Sequence, residues 1–356
     1  METAIILCEG QFGRPPGKTA AGLIRHSLRF EILGVIDSTK AGQDAGQVLD
    51  GKKKGIPIFA SLEEALKKLP RKPSWLIIGV ATVGGWLPKE FRPIVRDSIE
   101  NGINIISGLH EWLGQDPEFG KHANAHGVKI VDIRKEPPLE KMHHYRGLAC
   151  KMDAVRIPVL GTDAASGKRT TAIILTKELN ARGIKTVFVA TGQTGLLQGS
   201  KYGIPLDAIR GDFVVGELEN AIEEAYEKEH PQVMIIEGQG ALSHPAYVTG
   251  SRAIVSASCP STVVLQHAPA REFRTYHPEL KMPNGTIDRE LELIKVYAKS
   301  DIVGITINHT DMTRAEVEQK IDEYEMKYGV PACDALVDGT GKIADAIIRR
   351  FFSKSR

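Results

Sequence analysis

Hydrophobic and polar positions alternate along the chain in repeated cycles of a short apolar strand and an amphipathic helix. In residues 1–140, β-branched runs such as TAIILC, EILGVID, SWLIIGV and INIISG are separated by segments with helical periodicity. Neighbouring parallel strands need a crossover helix, so this rhythm predicts a parallel sheet with helices on its faces. The pattern breaks at RKEPPLEKMHHYRG, residues 134–147, where adjacent prolines and dense charge indicate a domain boundary.

The same alternation restarts after this boundary. Strands are predicted at AVRIPVLG, IKTVFVA, QVMIIEG, STVVLQH and DIVGITIN, and helices from Lys168, from about Asp212 to Lys228, around residues 287–299 and up to Phe352. The chain is therefore predicted to be an α/β protein with two doubly wound parallel-sheet domains, over residues 1–140 and 150–356. Ligands of such sheets bind at the carboxyl ends of the strands, so function is expected in the loops that follow strands.

The loop GTDAASGKRTT, residues 161–171, lies between a predicted strand and a predicted helix. In that setting backbone N–H groups and the positive helix end can bind a phosphate, which Lys168 would also contact; an ordinary strand-to-helix turn is the alternative. Five residues separate Gly161 from Gly167, one more than usual, and Arg169 stands where a Ser or Thr is usual. The residues expected to bind cofactor phosphates are Gly161, Thr162, Asp163, Ser166, Gly167, Lys168, Arg169 and Thr170.

This loop resembles the GTD-x-x-x-GK loop of dethiobiotin synthetases, which has the same spacing. A Thr after the lysine helps those enzymes to bind Mg²⁺, and here the resemblance leaves Thr170 and Thr162 as alternative hydroxyl ligands. VMIIEGQGALSHP, residues 233–245, resembles the strand and Glu-Gly segment of these enzymes, which implies Glu237 as a Mg²⁺ ligand. ATGQTG, residues 190–195, resembles their substrate loop and implies substrate contacts by Thr191, Gln193 and Thr194.

Two further polar positions have competing explanations. Asp212, near the start of a predicted helix, is a candidate catalytic residue, metal ligand or substrate ligand, and a helix N-cap explains it equally well. NHTD, residues 308–311, resembles the base-reading NKxD of GTP-binding proteins with His in place of Lys. That change weakens the case for guanine and leaves adenine contact by Asn308, while a turn and helix cap is the alternative.

The loop GRPPGKTA also follows a strand and precedes a helix. It lacks a glycine at the right distance before Gly17, and Pro15 and Pro16 remove two N–H groups that a phosphate site would use. It therefore predicts only a helix start that tolerates an anion. From here to Trp112 the order of elements resembles the CoA-binding domain of the succinyl-CoA synthetase α subunit; a Rossmann-like domain used for packing or dimerisation is the alternative.

TGQTG, residues 191–195, and IEGQGALSHPAY, residues 236–247, extend a further resemblance over nearly the whole chain. The two halves together resemble a bacterial and archaeal domain-of-unknown-function family with an N-terminal Rossmann-like half and a C-terminal P-loop NTPase-like half. Some members of that family are assigned as D-glutamate N-acetyltransferases that use acetyl-CoA. The resemblance implies a CoA-dependent N-acyltransferase that acts on an acidic amino acid.

Transfer of an acyl group to nitrogen needs a base for the amine and donors for the thioester oxyanion, but neither metal nor ATP. His244 in SHPAY and His267 in LQHAPAREF follow predicted strands and are the candidate bases, although a lone histidine is often structural. Arg271 is a candidate for binding the substrate carboxylates, as are Arg274 and Lys201; solvated surface charges are the alternative.

Two other functions stay open from the sequence. The first is an ATP- and Mg²⁺-dependent ligase or kinase, in which Lys168 and a Mg²⁺ held by Glu237 neutralise a phosphoryl group moving to a small carboxylate. The second is a nucleotide-regulated switch, which ranks last because no Cys or His cluster is present for a metal cargo. The expected cofactors are acetyl-CoA and, in the first alternative, ATP and Mg²⁺.

Composition narrows the partners and the compartment. Across 356 residues, 46 basic and 44 acidic side chains leave a formal charge of +2, so a small-molecule substrate is expected and neither nucleic acid nor membrane is favoured. The four cysteines form no CxxC pair, so neither a disulfide nor structural zinc is expected, which suits a reducing cytoplasm. The opening residues do not resemble a signal peptide, no segment approaches the ~20 apolar residues of a membrane span, and a homo-oligomer is expected.

Overall fold

The computed structural model describes residues 1–275 and 278–353. The chain divides into two compact units: Met1–Pro137 with Gln193–Ser200, and Pro138–Gly192 with Lys201–Arg356. Each unit contains one parallel sheet with helices, so the predicted α/β class is confirmed. Within the described ranges, no helix combines the length and the apolar character needed to cross a membrane.

The first unit contains a six-stranded parallel sheet. Its strands are β1 Glu2–Leu7, β2 Phe30–Ile36, β3 Ile58–Phe59, β4 Trp75–Ile78, β5 Asn104–Ser107 and β6 Ile130–Asp132. Their order in the sheet is β3-β2-β1-β4-β5-β6, the order found in dinucleotide-binding folds. All four residues of β4 are buried, as expected for a central parallel strand with a continuous apolar run.

The second unit contains a seven-stranded parallel sheet. Its strands are β7 Val155–Gly161, β8 Thr186–Ala190, β9 Tyr202–Gly203, β10 Val233–Glu237, β11 Val263–His267, β12 Ile302–Ile307 and β13 Ala332–Cys333. Their order is β13-β12-β11-β7-β10-β8-β9. Every residue of β7 and β10 is buried, and the two strands are neighbours in the middle of the sheet. Because the strands are parallel, the loops that follow them begin side by side at the carboxyl ends of the strands.

Helices connect the strands of both sheets. In chain order they are α1 Lys18–Arg25, α2 Ala45–Asp50, α3 Leu62–Lys68, α4 Phe91–Glu100, α5 Pro117–His126, α6 Lys168–Ala181, α7 Gln193–Leu197, α8 Val214–Glu229, α9 Val248–Ser258, α10 Ile287–Ala298, α11 Arg314–Tyr328 and α12 Gly341–Phe351. Sequence analysis does not predict α2, α5, α7, α9 or α11. The start of α11 is nevertheless readable, because Thr313 and Glu316 form a reciprocal capping box.

The segment Gln193–Ser200 belongs to the first unit although it is flanked by residues of the second. Gln198 Nε2 donates a hydrogen bond to the carbonyl of Gly22 at 2.7 Å, and the hydroxyls of Thr194 and Thr19 lie 2.9 Å apart. The predicted second domain is continuous, and this excursion departs from it. No local sequence pattern predicts that Gln193–Ser200 joins the first unit, because this placement depends on contacts with residues far away in the sequence.

Cys150 and Cys259 form a disulfide bond, with Cα atoms 5.2 Å apart, so the expectation of no disulfide is wrong. Cys150 lies just before β7, and Cys259 ends α9. The two cysteines are 109 residues apart, and the lack of a CxxC motif excludes only a local pair. Arg156 Nε, on β7, donates to the carbonyl of Cys259 at 3.1 Å and so holds the same two segments together.

Candidate phosphate site

The loop between β7 and α6 has its carbonyl groups occupied by side-chain donors. The contacts are Arg274 Nη1 to Thr162 O (3.2 Å), Lys168 Nζ to Asp163 O (2.6 Å), Arg271 Nη1 to Ala164 O (2.8 Å), Arg271 Nη2 to Ala165 O (3.3 Å) and Asn308 Nδ2 to Ser166 O (2.9 Å). Three of the four donor side chains are cationic. They compensate the negative ends of the loop's peptide dipoles on the carbonyl side.

The N–H groups of the same loop are available to a ligand. In the described part of the chain, the backbone N–H groups of residues 164–168 donate to no protein acceptor. They stand directly before and at the start of α6, where the helix dipole also favours negative charge. Successive unpaired N–H groups at a helix start form a site for a phosphate or another anion.

Two glycines allow this loop conformation. Gly167 has φ +107°, a backbone state that side chains rarely adopt, and it is the N-cap residue of α6. A Cβ at Gly161 would lie 2.9 Å from the carbonyl oxygen of Gln266 on β11. Both predicted glycine positions therefore have a physical reason, and Ala165, between them, also has a positive φ.

Lys168 is buried at the base of the loop, with 5% of its surface exposed. Besides Asp163, its Nζ donates to the carbonyl of Gly240 at 2.9 Å, in the loop after β10. Burial lowers the pKa of Lys168 to about 8, against the opposing influence of the Asp163 carboxylate. At neutral pH the ammonium is therefore mostly charged and can bind an anion.

Asp163 anchors the cationic side chains around the loop. It is fully buried, and its Oδ2 accepts hydrogen bonds from Arg271 Nη1 at 2.8 Å and from Thr275 N at 3.0 Å. Its Oδ1 lies 3.7 Å from Arg274 Nη1. Arg271, a predicted substrate ligand, thus donates hydrogen bonds to this carboxylate and to carbonyl groups of the loop.

The two candidate histidines lie close to the loop in different states. His244 Nδ1 accepts hydrogen bonds from Ala246 N and Tyr247 N, at 3.1 Å and 3.0 Å, which places the proton of the neutral ring on Nε2. That Nε2 is 3.6 Å from Asp163 Oδ1. His267 Nδ1 lies 2.8 Å from the hydroxyl of Thr162, and burial lowers the pKa of His267 to about 4. His244 is arranged as a donor and His267 as a weakly basic neutral ring.

Glu237 is the last residue of β10, and both it and Gln239 form hydrogen bonds with Thr191. Its Oε2 accepts a hydrogen bond from Thr191 N at 3.0 Å, and burial raises the pKa of this carboxyl, against the opposing charge of Arg169. Gln239 Nε2 donates to Thr191 Oγ1 at 3.0 Å. A Cβ at Gly192 would lie 3.1 Å from the same Gln239 atom, so any side chain at this position would press on that amide. Sequence analysis does not single out Gln239, although it lies in the quoted EGQG.

The predicted Mg²⁺ ligands are Thr170 or Thr162, Asp212 and Glu237, and this set stays a prediction. In the described ranges, no group of three or more His, Cys, Asp or Glu residues is arranged to hold a metal ion. Thr162 bonds His267, and Thr170 is half-buried on α6. Asp212 is exposed in the turn before α8, where it makes no hydrogen bond or ion pair with any described residue and where Phe213, not Asp212, is the N-cap.

Asn308 makes hydrogen bonds inside the protein through both atoms of its amide. Besides the bond from its Nδ2 to Ser166, its Oδ1 accepts from Thr310 N at 3.0 Å and from Thr310 Oγ1 at 2.7 Å. The side chain therefore supports the phosphate loop and closes its own turn, as the turn alternative describes. The next residue, His309, bonds the buried carboxylate of Asp334 through Nδ1.

The predicted substrate loop is divided between the two units. Thr191 lies in the second unit, whereas Gln193 and Thr194 lie in the first, where 7% and 2% of their surfaces are exposed. Gln193 Oε1 accepts a hydrogen bond from Arg134 Nη2 at 2.9 Å. Lys201 forms an exposed ion pair with Glu229 at 3.1 Å, as expected for a solvated surface charge.

Comparisons with known proteins agree with this architecture. Residues 143–344 match the family model "Domain of unknown function (DUF1611_C) P-loop domain", and residues 38–136 match "Domain of unknown function (DUF1611_N) Rossmann-like domain". A D-glutamate N-acetyltransferase of Tritonibacter scottomollicae is 34% identical over 278 residues, 76% of this chain and 80% of the relative. A D-glutamate N-acetyltransferase of Pseudoalteromonas sp is 32% identical over 270 residues, 75% and 79% of the two chains. A crystal structure of a DUF1611 family protein from Anabaena variabilis superposes with a TM-score of 0.88 at 29% identity, over 98% of this chain and 100% of that one.

Proposed function

The chain belongs to the DUF1611 family, and from this membership and the phosphate loop we propose that it is a CoA-dependent N-acetyltransferase acting on an acidic amino acid. The family predicted from the sequence, with its Rossmann-like and P-loop parts, is confirmed. Two relatives that align with about three quarters of this chain are named D-glutamate N-acetyltransferases, which makes D-glutamate the first acceptor to test.

The observation that carries the proposal is the set of open N–H groups at residues 164–168, backed by cations that hold the loop carbonyls. Coenzyme A carries phosphates on its adenosine end, and each phosphate offers negative charge and strong acceptor oxygens. The residues present fit such a group: backbone donors, the start of α6 and the charged Lys168 all favour an anion. We propose that this loop holds a CoA phosphate.

Glu237 is the residue to which we assign the proton transfer. N-Acetylation requires that the substrate ammonium lose a proton, and acetyl-CoA, when bound, supplies the acetyl group. The raised pKa of Glu237 brings its basicity closer to neutral pH than that of an ordinary carboxyl, whereas the lowered pKa of His267 moves it away. The bond from Thr191 N orients the Glu237 carboxylate. His244, with its proton on Nε2, serves as a donor in this scheme.

The direct test is release of free thiol from acetyl-CoA in the presence of D-glutamate, L-glutamate, D-aspartate or L-aspartate. The native protein should release thiol with one of these acceptors, and Lys168→Ala should need a much higher acetyl-CoA concentration. Lys177→Ala, an exposed lysine on the same helix α6, is the matched control and should behave as the native protein. No thiol release with any of the four acceptors would contradict the proposal.

A second candidate is the ATP- and Mg²⁺-dependent ligase or kinase. The observation in its favour is that a loop of open N–H groups and a lysine also fits the phosphates of ATP, with Glu237 at the end of the neighbouring strand β10. It is tested by measuring ADP formation from ATP and Mg²⁺ with a panel of small carboxylic acids. Formation of ADP that depends on one acid would replace the first proposal.

Location and assembly also stay predictions. A cytoplasmic location is proposed for a protein that uses acetyl-CoA, although the Cys150–Cys259 bond weakens the cysteine argument for a reducing compartment. A homo-oligomer is proposed and is tested by the mass of the protein in solution.

A further inference from the structure

We infer that Gln266 is a phosphate ligand, whose side-chain N–H groups donate to the same phosphate that the open N–H groups of residues 164–168 bind. Gln266 lies on β11, directly before the candidate base His267. The inference rests on the proposed function only for the identity of the phosphate compound, a phosphorylated nucleotide such as coenzyme A. It concerns the second unit alone, and no motif of the sequence assigns Gln266 a role.

The backbone of Gln266 lies beside the start of the phosphate loop. Strands β11 and β7 are parallel neighbours, and Gln266 pairs with Gly161, the first glycine of the loop. The carbonyl of Gln266 accepts a hydrogen bond from Thr162 N at 3.1 Å. The strand pair therefore fixes the position of Gln266 relative to the loop.

The side-chain amide of Gln266 has its oxygen fully used by the protein. Thr171 Oγ1, in the first turn of α6, donates to Gln266 Oε1 at 2.5 Å, and Thr306 Oγ1, on β12, donates to the same oxygen at 2.6 Å. An amide oxygen has two lone pairs, so these two hydroxyls saturate it. Because the amide group is planar, the two hydroxyls also fix the direction of its NH₂ group, which points away from them.

The nitrogen of the same amide has no partner in the protein. Only 2% of the surface of Gln266 is exposed, and within the described ranges its Nε2 donates to no acceptor. A buried donor without an acceptor costs free energy, and nearly all buried polar groups in proteins are hydrogen-bonded. The two N–H groups of Nε2 therefore indicate an acceptor that the chain itself does not supply.

This nitrogen lies next to Gly167, the N-cap residue of α6. A Cβ at Gly167 would lie 3.7 Å from Gln266 Nε2 and 3.9 Å from Asn308 Nδ2, so glycine leaves room in front of both amides. A Cβ is about 2.5 Å from the N of its own residue, which places Gln266 Nε2 within roughly 6 Å of the open N–H of Gly167. Two oxygens of one phosphate group, each accepting at about 2.9 Å, can bridge donors at that separation.

The primary experiment is calorimetric titration of the native protein with adenosine 3′,5′-bisphosphate and, in separate runs, with ADP and Mg²⁺. At least one probe should bind, and the tighter one is carried to the variants. Gln266→Met removes the donor without adding a charge and should weaken binding by about tenfold or more, because a hydrogen bond to a charged group is lost. Gln266→Glu replaces the donor by an acceptor oxygen and should weaken binding further. Binding of neither probe, or a smaller loss in folded Gln266→Met, would overturn the inference.

The matched controls are Gln319→Met and Gln319→Glu, at an exposed position of α11, which should bind as the native protein does. Thermal unfolding checks that all four variants are folded, and a loss in the controls equal to that in the Gln266 variants would overturn the inference. A crystal structure of the native protein with the bound probe decides the question without any variant. Gln266 Nε2 should lie about 2.9 Å from a phosphate oxygen. A water molecule between the two, or a phosphate bound elsewhere, would overturn the inference.

Failure of this inference and failure of the proposed function give different results. Acetyl transfer with an unchanged KM for acetyl-CoA in Gln266→Met would overturn the inference and support the enzyme. Probe binding that Gln266→Met weakens, without acetyl transfer to any acidic amino acid, would do the reverse. Binding of ADP and Mg²⁺ alone, weakened in the same way, would support Gln266 as a ligand and favour the second candidate function.

Discussion

The two units each have a loop between their first strand and first helix, but among the described residues only the loop of the second unit leaves a run of five successive N–H groups without a protein acceptor. After β1, the N–H groups of Gln11, Arg14 and Gly17 donate to carbonyls of the same loop, and Phe12 N donates to Asp37 Oδ2 at 2.9 Å. After β7, the N–H groups of residues 164–168 have no protein acceptor among the described residues. The order strand, loop and helix is shared, and the hydrogen bonds differ.

This difference shows that the fold alone does not create a phosphate site. In dinucleotide-binding sheets an acid at the end of the second strand bonds the ribose of the ligand. Asp37, just after β2, is fully buried and instead accepts bonds from Phe12 N and Thr39 N. The first loop is thus bonded to its own unit, whereas side chains in the second unit bond the loop carbonyls and leave the donors free. CoA binding by the first unit stays a prediction.

The largest expected effect comes from comparing two acidic residues at the ends of strands, Glu237 in the second unit and Asp37 in the first. Glu237→Gln should lower kcat for acetyl transfer by about 10²- to 10⁴-fold with little change in the KM for acetyl-CoA, because the base is lost and the phosphate site is kept. Asp37→Asn should leave kcat unchanged and lower the melting temperature, since Asp37 bonds only its own unit. Steady-state kinetics with thermal unfolding checks both. Equal losses of kcat would remove the distinction between the units.

The next largest effect is on ligand affinity, and it distinguishes Lys18 at the start of α1 from Lys168 at the start of α6. Lys168→Ala should weaken binding of adenosine 3′,5′-bisphosphate by about 100-fold, or about 2.7 kcal/mol, because a buried charge next to the phosphate is removed. Lys18→Ala should change the affinity less than about twofold, because the loop before it bonds itself. Calorimetric titration measures both, and a similar loss in the two variants would mean that the first loop also binds phosphate.

The third effect concerns the disulfide of the second unit. Removing it by Cys259→Ser should lower the free energy of unfolding by about 2 kcal/mol, at the low end of the usual range, because Arg156 also holds the two joined segments. Cys8→Ser, a free buried cysteine of the first unit, is the control. Denaturant unfolding with and without reductant measures both. The reductant should destabilise the native protein and the control but leave Cys259→Ser unchanged; a native protein insensitive to reductant would contradict the disulfide.

These comparisons also show which parts of the molecule the sequence can predict. Strand β7, the glycines around the loop and Lys168 follow one another in sequence, so a local pattern is enough to predict them. The bonds from Arg271 and Arg274 to the loop carbonyls, and the Cys150–Cys259 bond, join segments more than 100 residues apart. Local patterns contain no information on such contacts, and the same is true of the excursion at residues 193–200.

The smallest expected effect is a dependence of affinity on pH. Burial lowers the pKa of Lys168 to about 8, so its side chain is charged below this pH and neutral above it. The phosphate prefers the charged form, so affinity should fall as pH rises through 8, on the order of fivefold between pH 8 and pH 9. Lys168→Arg stays charged and should flatten this profile, whereas Lys18→Arg should not. A profile that keeps its slope in Lys168→Arg would assign the titration to another group.

The lowered pKa of Lys168 also affects the free energy of unfolding, which should rise with pH while ligand affinity falls. The pKa of Lys168 in the folded protein, about 8, lies below its ordinary value of 10.5, so between these values the unfolded chain binds more protons than the folded one. Without ligand, this residue should make the protein more stable as pH rises through that window, while phosphate binding becomes weaker. Thermal unfolding between pH 7.5 and pH 10 with and without adenosine 3′,5′-bisphosphate should therefore show two melting curves that converge. Lys168→Arg should keep them apart, because the second loop then keeps its charge at every pH in that range.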